Sequence, residues 1–215
     1  MLYNLHTHKA SGSENVLEIV NQYPYDFNPE TRFFSMGIHP WYIDKAKVDE
    51  HLAVIENKLQ LQNCLALGEC GLDKRIDIPM DFQVSVFEKQ LVLAQEYKKP
   101  VILHCVSAYQ EVIAIKKQMK IEQPMIIHGF SKNFQVAKSL LDNGFYLSFG
   151  KYLLRNPELT TVFEQVPDGR FFMETDTIEE TIEDVYEKAS SIKNINVEQQ
   201  VEKNFFEVFQ LSDKD

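Results

Sequence analysis

Three cysteines in 215 residues, Cys64, Cys70 and Cys105, are too few and too irregularly spaced for a disulfide framework, and their odd number fits reduced thiols. No apolar run approaches the roughly 20 residues that a membrane helix needs. The opening MLYNLHTHKA lacks the basic start and long apolar stretch of a secretory signal, so cytoplasmic residence is expected. Also missing are a Gly-x-Gly-x-x-Gly after the first strand, a Gly-rich phosphate loop and a Gly-x-Ser-x-Gly elbow. Those absences exclude the usual marks of dinucleotide folds, P-loop enzymes and α/β hydrolases. Excess positive charge is lacking too: the net charge of −10 argues against affinity built on neutralising the phosphates of a long duplex. It leaves room for a phosphoester substrate, because bound divalent cations reverse the local charge.

What is present is an ordinary content of 44% hydrophobic and 25% charged residues, enough for one sizeable core. Strand-like runs are expected at Leu2–His6, Phe33–Ile38, Cys64–Gly68, Val101–His104, Met125–His128, Phe145–Ser148 and Arg170–Glu174. Helical spacing is expected at Glu14–Gln22, Val48–Leu61, Phe82–Tyr97, Ala108–Met119, Asn133–Asp142, Glu158–Gln165, Ile182–Ile192 and Val197–Phe209. Such alternation predicts crossover connections and a parallel sheet. With no linker or repeat, the expectation is a single domain over residues 1–215. Its fold would be α/β, a TIM-like (β/α) barrel distorted to seven or eight strands.

The chemistry-bearing residues gather where these strands end. His6-Thr7-His8, Gly37-Ile38-His39, Gly68-Glu69, His104-Cys105, His128-Gly129 and Glu174-Thr175-Asp176 all sit there, and of the six histidines only His51 falls inside a helix. Parallel α/β folds assemble their active sites at the carboxyl ends of several strands. Imidazole and carboxylate are the usual ligands of zinc, manganese and related ions. His6 and His8, two residues apart on a strand, face the same way and can share an ion. Asp176 would join them on the first ion, and His104 and His128 would hold the second. Glu69 has two oxygens and can bridge the pair, as in centres whose ions lie about 3.5–4 Å apart. Asp176 can also take a proton from an attacking water.

Each residue taken singly has an ordinary role as a satisfied core histidine, a helix cap or half of an ion pair. The ensemble is what points to a metal. Cys70 and Cys105 adjoin proposed ligands but face the opposite side of their strands, so they are expected to be small buried thiols. Asn204-Phe205-Phe206 and Phe209 suit a core-facing helix better than a stacking platform. Glu179, Glu180, Glu183 and Asp184 suit a solvated helix start.

These blocks, in this order, resemble the TatD family of metal-dependent hydrolases within the amidohydrolase-like barrels. His6-Thr7-His8 is similar to the family's His-x-His and Gly37-Ile38-His39-Pro40 to its Gly-x-His-Pro. Gly68-Glu69-Cys70-Gly71-Leu72-Asp73 resembles Gly-Glu-x-Gly-Leu-Asp. Lys99 to His104, His128-Gly129-Phe130-Ser131, Glu174-Thr175-Asp176 and Asn204-Phe205 match the later blocks. The resemblance implies a divalent-metal deoxyribonuclease that trims DNA from its 3′ end, with the same six ligands. His39, Asp73 and Arg75 are candidates for holding the phosphate or its neighbours, since an Arg fork donates two hydrogen bonds. Two ions per chain (zinc, manganese, magnesium or nickel) and single-stranded or frayed DNA ends are the expected cofactor and substrate.

Three departures bear on the substrate. Asn4 stands where the family opens with Asp. Lys74-Arg75-Ile76 replaces two aromatics and an Arg. Thr177-Ile178-Glu179 passes straight into a helix where the family has a loop carrying Arg and Asn. The alternatives are a metal-dependent hydrolase of a small phosphoester, amide or ester, and a non-catalytic metal-binding protein.

Overall fold

The computed structural model describes residues 1–210. In chain order its elements are β1 (Leu2–Thr7), β2 (Val16–Gln22), β3 (Phe34–Met36), α1 (Val48–Leu59), β4 (Cys64–Asp73), α2 (Met80–Glu96), β5 (Val101–Val106) and α3 (Tyr109–Gln118). There follow β6 (Met125–Ile127), α4 (Phe134–Asp142), β7 (Phe145–Phe149), α5 (Lys151–Arg155), α6 (Pro157–Gln165), β8 (Phe171–Met173), α7 (Ile182–Ser190) and α8 (Val197–Phe209). The eight parallel strands form one sheet in sequence order, the architecture of a TIM-like (β/α) barrel. No helix among the described residues is long and apolar enough to cross a membrane.

The eighth strand, absent from the sequence reading, is β2. Glu14–Gln22 was expected to be a helix, and Val16–Gln22 is a strand paired in parallel with β1. Its apolar residues Val16, Leu17, Ile19 and Val20 fall at helical spacing, yet all are buried. A barrel strand is covered on both faces, so it shows no alternation and periodicity cannot separate it from a helix. The β-branched Val16, Ile19 and Val20 tip the balance toward extended backbone. β4 is also longer than expected: it runs on through Glu69 to Asp73 and is buried along its whole length.

The chain sorts into two compact units, one made of Met1–Val20 with the chain from Ile126, the other of Asn21–Met125. In the first, β1 lies beside the segment after β8, where Asp176 N donates to His6 O (2.9 Å) and His8 N to Asp176 O (3.1 Å). The core there is aromatic. Phe205 packs on Tyr3 and Phe209 at centroid distances of 4.9 and 4.5 Å, and Phe149, Phe163 and Phe171 form a second chain of rings at 4.9 and 5.0 Å. Phe205 and Phe209 are buried as expected, and Asn204 Nδ2 ties α8 to the carbonyls of Asp168 (2.8 Å) and Phe171 (2.9 Å). Of the acidic run, Glu183 and Asp184 fall in the first turn of α7, where Thr181 and Asp184 cap each other reciprocally, and Glu179 and Glu180 precede it.

Tyr186 of α7 is buried, donates its hydroxyl to Tyr3 O (2.9 Å) and accepts from Tyr3 N (3.2 Å). Burial holds its ionisation well above the ordinary 10.0. A folded pKa raised above the unfolded one gives stability that is full below pH about 10 and lost as pH climbs above it. Tyr186→Phe is therefore expected to flatten the alkaline fall in unfolding free energy, measured by urea titration at pH 8 and above. An unchanged alkaline slope would exclude Tyr186 as its source.

Candidate metal centre

In the unit containing both termini, the end of β1 and the segment after β8 bring three donors together. Ligand atoms of His6, His8 and Asp176 all lie within 4.8 Å of one another. Asp176 Oδ1 is 3.4 Å from His8 Nε2 and 3.7 Å from His6 Nε2. The His6 ring, fully buried, packs edge-on to His8 (5.0 Å) and tilted against His128 (4.6 Å). Strand geometry explains the convergence, because residues i and i+2 share a face. Imidazole and carboxylate donors this close fit a divalent ion of the zinc or manganese kind.

His128, just after β6, has its Nδ1 3.4 Å from Glu174 Oε1, and that oxygen also accepts Gly129 N at 2.7 Å. A carboxylate beside one ring nitrogen fixes the imidazole and leaves the other nitrogen for a ligand role. Glu174 was not among the sequence candidates. Its position two residues before Asp176 was the available signal.

Asn4 is matched to Thr175: its Nδ2 donates to Thr175 Oγ1 (2.9 Å), and its Oδ1 accepts Thr175 N (3.1 Å). Donor and acceptor are both used, a pairing that an ionised Asp, with acceptors only, does not make. Beyond Asp176 the chain turns through Thr177 to Glu180, where Arg155 grips Glu180 with two nitrogens at 2.6 to 3.0 Å. A pocket of about 740 Å³ opens beside His8 and Asp176, and Lys9 shares its lining with Glu18, Glu179 and Glu183.

The Asn21–Met125 unit holds a second trio. Ligand atoms of His39, Glu69 and His104 also lie within 4.8 Å of one another. Glu69 Oε1 is 2.9 Å from His104 Nδ1 and 3.1 Å from His39 Nε2, and the residue is 3% exposed. His39 is buried behind β3, and its Nδ1 accepts Trp41 N at 3.1 Å. Its proton therefore sits on Nε2, aimed at Glu69.

Asp73, the last residue of β4, is buried and accepts Trp41 Nε1 (2.8 Å), Arg75 N (2.8 Å) and His104 Nε2 (3.2 Å). Burial pushes its pKa up, but these donors outweigh it and hold the carboxyl below its ordinary 3.8. Gln83 braces the same residue, accepting Asp73 N (2.8 Å) and donating to Asp73 O (3.0 Å). Arg75 is exposed on the turn that follows, and Lys74 is paired with Glu111. Trp41 and Gln83, like Glu174, were not singled out from sequence.

The cysteines are free and buried. Burial drives the Cys70 thiol well above its ordinary range and pushes Cys64 and Cys105 up to about 12. All three are inert thiols at neutral pH.

Comparison with known proteins adds a family to this geometry. The model of the family described as "TatD related DNase" matches residues 2–210. An uncharacterised metal-dependent hydrolase of Bacillus subtilis, YabD, is 32% identical over 74% of this chain and 62% of its own length. A 3′-5′ ssDNA/RNA exonuclease TatD of Edwardsiella piscicida is 30% identical over 77% of this chain and 65% of its own. The chain thus spans about three-fifths of the length of the curated relatives it matches. The crystal structure of the Escherichia coli TatD homolog YJJV shares the fold, with a TM-score of 0.79 over 91% of this chain and 86% of that one at 21% identity. With a family match running almost from end to end and relatives above 30% identity, this chain belongs to the TatD related DNase family.

Proposed function

We propose that this protein is a divalent-metal-dependent phosphodiesterase that shortens single-stranded or frayed DNA from the 3′ end. One arrangement carries the reading, and it occurs once in each unit: a single carboxylate oxygen facing two imidazoles. Asp176 Oδ1 stands between His6 and His8, and Glu69 Oε1 between His39 and His104. Relatives named 3′-5′ ssDNA/RNA exonucleases support the choice of bond.

The donor set suits divalent ions: in one unit His6, His8 and Asp176 would hold one, with His128 packed beside them, and in the other Glu69 and His104 would supply donors. When bound, such ions supply Lewis acidity and neutralise charge on a phosphoryl group. The chain's own residues do the rest. Asp176 accepts the proton of the attacking water. His39, protonated on Nε2, holds the Glu69 carboxylate in place, and Asp73 and Glu174 orient His104 and His128. Arg75 is exposed at the turn after β4 and offers a forked donor to a phosphate. Reduced, buried cysteines suit a cytoplasmic protein.

A second reading, hydrolysis of a small phosphoester or carboxylic ester, draws on the pocket beside Asp176. Glu18, Glu179 and Glu183 outnumber Lys9 there, and a long polyanion would meet repulsion. The deciding assay is hydrolysis by metal-reconstituted and chelated protein of end-labelled single-stranded DNA, small phosphodiesters and esters, with Asp176→Ala as control. Metal-dependent stepwise shortening that is lost in the variant is expected. Intact DNA alongside turnover of a small ester would replace the first reading with the second.

A further inference from the structure

We propose that Trp41, backed by Tyr42 and Tyr25, forms a stacking subsite for an unpaired nucleobase beside the His39–Glu69–His104 cluster. The inference rests on the phosphodiesterase reading and deepens it, because it requires a substrate that carries a base.

The observation is a concentration of exposed aromatic surface. Trp41 is 55% exposed, Tyr25 54% and Tyr42 45%, and Tyr152 is the other large exposed aromatic among the described residues. A single exposed ring needs no explanation. These three belong to one continuous network. Tyr25 stacks on Tyr23 at 5.3 Å and 14°, Tyr42 stands edge-on to Tyr23 at 5.4 Å, and His39 lies 5.5 Å from Tyr42 and 5.1 Å from Trp41. The Trp41 ring is 5.7 Å from His104. The platform therefore adjoins the candidate ligands directly.

Its leading ring is held in place. The short turn Pro40–Tyr42 carries Trp41, whose backbone N–H is bonded to His39 Nδ1 and whose indole N–H is bonded to Asp73 Oδ2 at 2.8 Å. A ring anchored through its edge keeps its face available, and the base that stacks there meets little ordering cost. The commitment to an unpaired base follows from charge. The net charge of −10 opposes a long polyanion, and of the two cations that follow Asp73, Lys74 is paired with Glu111, which leaves Arg75 to meet a phosphate. Aromatic stacking supplies affinity without cations and accepts any base whose face is free.

Trp41 is the chain's only tryptophan, so its emission reports on this position alone. Chelated protein is titrated with a short oligothymidylate and with an abasic deoxyribose-phosphate oligomer of equal length. Saturable quenching by the first and none by the second is expected, with a shallow dependence on salt. Equal responses to both oligomers, no response to either, or a signal that follows protein concentration as two copies associate would each overturn the proposal. In the metal-loaded enzyme, Trp41→Ala is expected to raise KM for oligothymidylate about ten-fold with a smaller change in kcat. Trp41→Phe, which keeps a ring and loses the N–H to Asp73, is expected to recover most of that KM. A Phe variant as impaired as Ala, with the loss in kcat, would make Trp41 a positioning residue for Asp73 instead. If the wild-type protein cleaves no phosphodiester with any metal, the function proposed above fails, and the fluorescence titration still decides the stacking site.

Discussion

Glu69→Ala is expected to lower metal-dependent kcat by about a thousand-fold, the scale on which loss of one pre-organised electrostatic group slows an enzyme. The same change should lower the number of ions retained per chain after gel filtration, measured by elemental analysis. Glu69 lies within β4 at 3% exposure, its backbone N–H bonded to Asn21 Oδ1 at 2.8 Å and its Oε1 within 3.1 Å of two imidazoles. Alanine would leave His39 and His104 facing a void where the carboxylate stood. Folding should lose about 1–3 kcal/mol as well, because the His39 N–H is left buried without its acceptor. A modestly lowered thermal midpoint, with the protein still folded at assay temperature and turnover gone, is the expected signature. Retention of a full complement of metal would refute the role of Glu69 as a ligand. Full activity would remove Glu69 from the chemistry altogether.

Gly71→Ala carries the second large effect, and here stability leads. Gly71 sits in β4 at φ +139° opposite His104 of β5, and a Cβ built on it would lie 2.0 Å from the His104 carbonyl oxygen. The obstacle is backbone, which moves only if the strand pair opens. The position also lies in a region of φ that side chains rarely adopt. A loss of about 4 kcal/mol or more is expected. For a chain of this size that lowers the thermal midpoint by about 10 °C. Because the carbonyl that must shift belongs to His104, metal affinity should fall with it. Gly169→Ala is the control, since a Cβ there meets nothing within 4 Å. Equal midpoints for the two variants would show that β4 and β5 adjust more freely than their register implies.

Much of the fold was legible because the elements differ in local pattern. Val197–Phe209 was recognised to the residue, and α1 through α4 to within two residues at each end. The failure at β2 has a physical cause: a strand buried on both faces has no polar side, and Val16, Leu17, Ile19 and Val20 satisfy a helical stripe equally well. The candidate ligands stood out because metal chemistry needs particular residue types and a parallel sheet needs them at strand ends. Their supports did not stand out. Glu174, Gln83 and Trp41 act on residues elsewhere in the chain, and nothing in their local sequence separates them from an ordinary core acid, a helix glutamine or an exposed aromatic.

Sequence by itself determined seven of the eight strands, most of the helices, the residue types available to a metal, and the family. Tertiary structure decided which of those residues are partners. Asn4 meets Thr175 across 171 positions of chain, and Trp41 reaches Asp73 across 32. Periodicity reports only the face on which a residue lies. A hydrogen bond needs two atoms within about 3 Å, and that distance exists only once the strands have paired.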